Sequence, residues 1–69
     1  MKREKILREE IEKLIEEGKR PSVQLLSRET EWNTEDVHSV LNSMEKKGEI
    51  ESYVKEGFNR KIRFVSLKR

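Results

Sequence analysis

Cysteine is absent from this 69-residue chain. No disulfide can therefore staple the fold, and no thiolate can hold a metal. The single histidine, His38, cannot build a metal site alone, so no metal or other cofactor is expected. No apolar run approaches the roughly 20 residues that a membrane helix needs, so no membrane partner is expected. The basic start Met1-Lys2-Arg3-Glu4-Lys5 is not followed by an apolar segment, which argues against a secretory signal. With no cysteine the chain also fits a reducing compartment, and a cytoplasmic location is the expectation. Enzyme signatures are missing too. There is no Gly-rich phosphate loop, no paired histidine and no Ser-His-Asp set at an arguable spacing. A non-enzymatic module with no small-molecule substrate is expected.

Charge is what the chain has in abundance. Lys, Arg, Asp and Glu make up 43% of it, yet they sum to only +2. So high a charge content fits a disordered chain or a folded domain laced with surface ion pairs, as in proteins from hot environments. Regular apolar spacing favours the folded domain. The charge is also unevenly spread. Up to Gly48 there are 10 Lys and Arg against 11 Asp and Glu, and from Glu49 onward 6 against 3. The positive field belongs to the C-terminal end, which is either a solvated tail or a contact surface for an acidic partner.

The length leaves room for one domain, residues 1–69, with no repeat or linker. Ile6, Leu7, Ile11, Leu14 and Ile15 recur at helical steps, predicting a first helix over about residues 2–17. Glu4/Arg8 and Glu9/Lys13 fall at i,i+4 on its wet side. Gly18 and Pro21 end it. Ser22 can cap a short helix to about Thr30, with Val23, Leu25 and Leu26 inward. Asn33 can cap a third, over about residues 34–47, whose stripe is Val37, Val40, Leu41 and Met44. After Gly48 the period changes to two. Strands over about residues 49–55 and 61–67 flank a Glu56–Arg60 loop, in which Gly57 and Asn59 suit positive φ. The predicted core is Ile6, Leu7, Ile11, Leu14, Ile15, Leu25, Leu26, Val37, Val40, Leu41, Met44, Ile50, Val65 and Leu67. The fold class is mainly α with a small β-hairpin (α+β). A lone hairpin is unstable in water, so it must dock on the three-helix bundle as a two-stranded antiparallel wing.

The run from Trp32 to Ile50 carries a recognisable pattern. Asn33 as cap is followed by Val37, Val40-Leu41, Met44, the charges Glu45-Lys46-Lys47, then Gly48 and Ile50. In this it resembles the third helix and first wing strand of small winged helix-turn-helix domains of archaeal and bacterial type. The likeness covers nearly the whole chain, and it speaks to fold more than to use. It implies a DNA-binding module, such as a small transcriptional regulator, with the third helix in the major groove of double-stranded DNA and the wing on phosphates. Winged helices that bind left-handed nucleic acid have Asn where His38 stands, Tyr where Asn42 stands and a Pro-rich wing, so that specialised use is excluded.

Carried onto this chain, the resemblance makes Thr34, Glu35, His38, Ser39, Asn42, Ser43 and Lys46 the outward face of the third helix. Asn42 suits adenine, hydroxyls suit several base edges, and Glu35 can accept from a cytosine amino group or serve the helix start. Lys55, Arg60, Lys61 and Arg63 suit phosphates. Phe58, at the wing tip, either inserts into a groove or folds back on the hairpin. Trp32 reads as a core or staple residue. The face lacks the mid-helix Arg or Lys common in the family, and Glu35 and Asp36 make its start acidic. Those two features keep a rival reading open: a protein-interaction winged helix of a replication, transcription or membrane-remodelling assembly. Ile62 and Phe64 share one strand face and would be its first contact surface, for a protein partner or a homodimer.

Overall fold

A computed structural model describes residues 2–68. The element order is α1 (Lys2–Glu16), α2 (Val23–Thr30), α3 (Thr34–Lys46), β1 (Ile50–Gly57) and β2 (Arg60–Leu67). This is a three-helix bundle followed by an antiparallel hairpin, the α+β architecture of a winged helix. Helix ends fall within a residue of the sequence-based expectation, because the chain marks them chemically. Gly18 and Gly48 both take φ of 76°. Around each, two amides turn back onto carbonyls of the last helical turn: Gly18 to Ile15 and Lys19 to Leu14, then Gly48 to Glu45 and Glu49 to Met44. These are paired Schellman closures, and they need a residue that adopts left-handed backbone without a Cβ penalty. At the other ends, Ser22 Oγ accepts from the Leu25 amide, and Asn33 Oδ1 accepts from the Asp36 amide at 2.8 Å.

The core holds Leu7, Ile11, Leu14, Val23, Leu26, Val37, Val40, Leu41, Met44, Ile50 and Val65, with Leu25, Trp32 and Leu67 packed against it half-buried. Two expected core residues are outside it: Ile6 is 47% exposed and Ile15 43%. Each lies one residue off the buried line Leu7-Ile11-Leu14, and one residue is about 100° of helix rotation. In a domain this small α1 meets its neighbours along a narrow stripe, and both isoleucines fall on its shoulders. Val23, expected to face inward, is buried.

Glu4 also departs from expectation. It is buried rather than paired with Arg8 on the wet side. Its carboxylate accepts from Lys47 Nζ at 3.0 and 3.1 Å and from Ser43 Oγ at 3.0 Å, which joins α1 to the end of α3. These hydrogen bonds, from Lys47 first and Ser43 second, hold the Glu4 carboxyl below its ordinary pKa. Arg8 instead meets Glu12 and Glu49.

The strands are longer than expected and the loop shorter. β1 and β2 pair from Ile50–Leu67 out to Gly57–Arg60, leaving only Phe58 and Asn59 in the turn. Positive φ falls at Phe58 (49°) and Asn59 (65°), not at Gly57. Positive φ at both central residues is what a type I′ connection requires, because its twist matches that of the strands. At the root of the hairpin, Ser22 forms an isolated β-bridge with Phe64, and the Val65 amide donates to the Pro21 carbonyl at 2.9 Å. The α1–α2 connection thus adds one rung to the free edge of β2 and fastens the wing to the bundle.

Candidate nucleic-acid interface

Four residues of α3 repeat at steps of four, three and four on the side opposite its buried stripe: Glu35, Ser39, Asn42 and Lys46, all exposed. They present one carboxylate, one ammonium, a hydroxyl and an amide to solvent. The remaining expected contacts on this helix lie on its flanks. Thr34 and His38 are exposed on the flank nearer the hairpin. Ser43 lies on the other flank, half-buried, with its hydroxyl donating to Glu4. Ser43 is therefore a tie between helices and not part of the outward face, because its rotation around α3 brings it against α1. The acidic start persists: Glu35 and Asp36 sit in the first turn, where the positive end of the helix favours them.

The register of the hairpin divides the wing cations between two faces. Lys61 and Arg63 share the face of buried Val65, the one turned toward α3. Lys55 and Arg60 lie on the outer face with Tyr53, Ile62 and Phe64. Lys55, Arg60 and Lys46 are exposed and take part in no ion pair among the described residues. Lys61 meets Glu56 at 4.0 Å, but both side chains are about three-quarters exposed, so the pair is weak and Lys61 is open to a competing anion.

Arg63 departs from the expected phosphate contact. Its side chain is only 14% exposed, with Nη2 3.7 Å from Glu45 Oε2 and Nη1 3.1 Å from His38 Nδ1. Glu45 also accepts from Ser52 Oγ across the gap to β1. The guanidinium is thus spent inside the domain, tying the wing to α3. Glu45 and Ser52 were not among the residues expected from sequence. The signal was present in the spacing, since Glu45 lies seven residues, two turns, after His38 and so shares its flank. Using it required the hairpin register.

Phe58 projects from the turn and is fully exposed, at 104% of its reference area. It does not fold back. Tyr53 does pack within the hairpin: its ring stacks on Phe64 with centroids 5.6 Å apart, and it stays 41% exposed. Ile62 and Phe64 are half-buried beside it. Trp32 packs half-buried against the core, the first of the two roles expected of it, with the Arg3 guanidinium 5.5 Å from its ring.

Comparison with known proteins returned nothing: no family model matches the chain, and neither does any curated protein or solved structure. Among the described residues there is no helix long and apolar enough to cross a membrane, and no cluster of His, Asp and Glu able to hold a metal ion.

Proposed function

We propose that this chain is a non-enzymatic, intracellular DNA-binding module. α3 lies in the major groove of a duplex, and the wing lies along the phosphates beside it. The observation that carries this reading is the wing tip. A fully exposed aromatic ring stands on left-handed backbone, with three open cations, Lys55, Arg60 and Lys61, on the strands that carry it. A soluble domain gains nothing by holding phenylalanine there, whereas a ring flanked by cations suits a sugar–phosphate wall with a base step behind it. The outward stripe of α3 supplies neutral readers, Ser39 and Asn42, with Thr34 and His38 on its flank. Glu35 accepts from cytosine or serves the helix start alone. Lys46 closes the stripe on the backbone.

The affinity is expected to be modest and salt-dependent. Three wing cations and Lys46 on four phosphates give a slope of log K against log salt of about −3.6. A duplex titration between about 50 and 200 mM salt tests this, and absence of binding at the low end overturns it. The role of such a module as a small transcriptional regulator rests on the same reading.

A second reading has its own observation. Tyr53, Ile62 and Phe64 form a continuous apolar face on the outside of the hairpin, centred on the exposed Tyr53 ring. It suits a protein partner or a second copy of the chain. Concentration-dependent sedimentation of the parent against Tyr53→Lys separates a homodimer from a monomeric DNA binder.

A further inference from the structure

The clasp between the wing and α3 carries an inference about what His38 presents to a partner. An arginine side chain has five N–H donors and no acceptor, and it keeps its proton in proteins. The contact of Arg63 Nη1 with His38 Nδ1, at 3.1 Å, therefore has only one polarity: Arg63 donates and Nδ1 accepts. A ring whose Nδ1 uses its lone pair in this way, and is neutral, carries its proton on Nε2. The guanidinium is largely covered, its side chain only 14% exposed. Its second nitrogen faces Glu45, which is held in turn by Ser52 of β1. Among the described residues the Nε2 edge has no hydrogen-bond partner, and His38 is exposed.

We infer that Arg63 is a positioning residue. It fixes His38 in the Nε2–H form and so presents a hydrogen-bond donor beside the outward stripe of α3. In the major groove a donor is accepted by purine N7, guanine O6 or thymine O4, and it is refused by the amino groups of cytosine and adenine. His38 is thereby assigned to an acceptor-only groove edge, guanine (N7 and O6) or thymine (O4), and against the amino groups of cytosine and adenine. This assignment rests on the DNA-binding reading, whereas the tautomer does not, so the two are tested separately.

The first test is two-bond 1H–15N correlation of the histidine ring in the free protein at pH about 8, where a histidine in water is neutral. The parent is expected to show the Nε2–H pattern alone. In Arg63→Met, which keeps the aliphatic stem and removes the donors, the Nδ1–H form should become populated. An Nδ1–H pattern in the parent, or no change in the variant, overturns the inference.

The second test titrates duplexes that differ at one base pair. In Arg63→Met, discrimination between guanine or thymine and the amino-bearing bases at that position should fall about fivefold, the worth of one neutral hydrogen bond, with the salt slope unchanged. A slope shallower by about 0.9 shows Arg63 to be a phosphate contact and refutes the positioning role. His38→Gln, which can place an N–H near the Nε2 position, should keep part of the discrimination, and His38→Ala none. Should the parent bind no duplex at low salt, the acceptor-edge assignment fails along with the DNA reading, and the ring spectrum alone decides the tautomer.

Discussion

Replacing Phe58 with Asn exchanges a ring that touches nothing for a residue that tolerates left-handed backbone. Phe58 has φ of 49° and is fully exposed, so its removal gives up no packing. Holding an ordinary L-residue in the left-handed region costs about 1–2 kcal/mol, and Asn relieves part of that by bonding locally. Phe58→Asn should therefore stabilise the fold, by about 1 kcal/mol at most, even though it removes the largest exposed apolar group. For a domain of this length about 1 kcal/mol raises Tm by about 4–8 °C. Thermal melts followed by circular dichroism read this directly. In duplex titrations the same variant should bind more weakly with an unchanged salt slope, because the missing anchor is non-ionic. Higher stability with weaker binding marks a residue kept for a partner. A lower Tm would mean that the ring packs on the hairpin after all. An unaltered duplex affinity would remove the wing tip from the interface.

Other perturbations probe the remaining parts. Leu41 is fully buried in α3, and Leu41→Ala should cost about 2–5 kcal/mol, a large share of what so small a domain has; an unchanged melting curve would show that the α3 stripe is not the core. Glu4→Gln should lower Tm at neutral pH. Because the Glu4 carboxyl is held below its ordinary value of 4.5, its stabilisation is full above that pH and disappears as pH falls through the lowered value. Melts of parent and variant should thus converge in acid, and a gap persisting there refutes the assignment. Changing Lys55, Arg60 and Lys61 together to Gln should weaken every duplex about equally and flatten the salt slope by about 0.9 for each phosphate no longer neutralised. Asn42→Ala should instead erode sequence preference, by about 1–3 kcal/mol if its hydrogen bonding is bidentate to adenine, at constant slope.

Local chemistry made most of the fold legible. Ser22 and Asn33 as caps, Gly18 and Gly48 as stops and the switch from helical to alternating period each act within a few residues, so the elements could be placed without tertiary information. What remained hidden is non-local. Ile6 and Ile15 belong to the apolar pattern of α1, but how wide a stripe is buried depends on the neighbours. Glu4 and Arg8 have the spacing of a surface pair, but Lys47 and Ser43, about 40 residues away, compete for Glu4 and win. Residue type places positive φ at Gly57 and Asn59, whereas register assigns it to Phe58 and Asn59. The candidate site divides in the same way. Glu35, Ser39, Asn42 and Lys46 follow from helical spacing alone. That Arg63 is spent on Glu45 and His38, and Ser43 on Glu4, depends on how the hairpin and α1 dock.

The bridge from Ser22 to Phe64 has a mechanical consequence. It holds the hairpin at its root, where Ile50 and Val65 are also buried. Beyond it, from Val54–Arg63 out to Gly57–Arg60, each strand has no backbone partner except the other among the described residues. At about 3.3 Å per residue this outer stretch is a cantilever roughly 13 Å long with the turn at its end, stiff where it joins the bundle and compliant at the tip. Amide exchange should follow that profile. The Val65 amide, bonded to Pro21, should open only with the whole domain, while amides near Asn59 should exchange through local fraying. The clasp at Arg63 sits at the inner end of the beam and sets where bending begins. On the DNA-binding reading, a tip that bends about a fixed root would follow a groove whose width varies with sequence without disturbing α3.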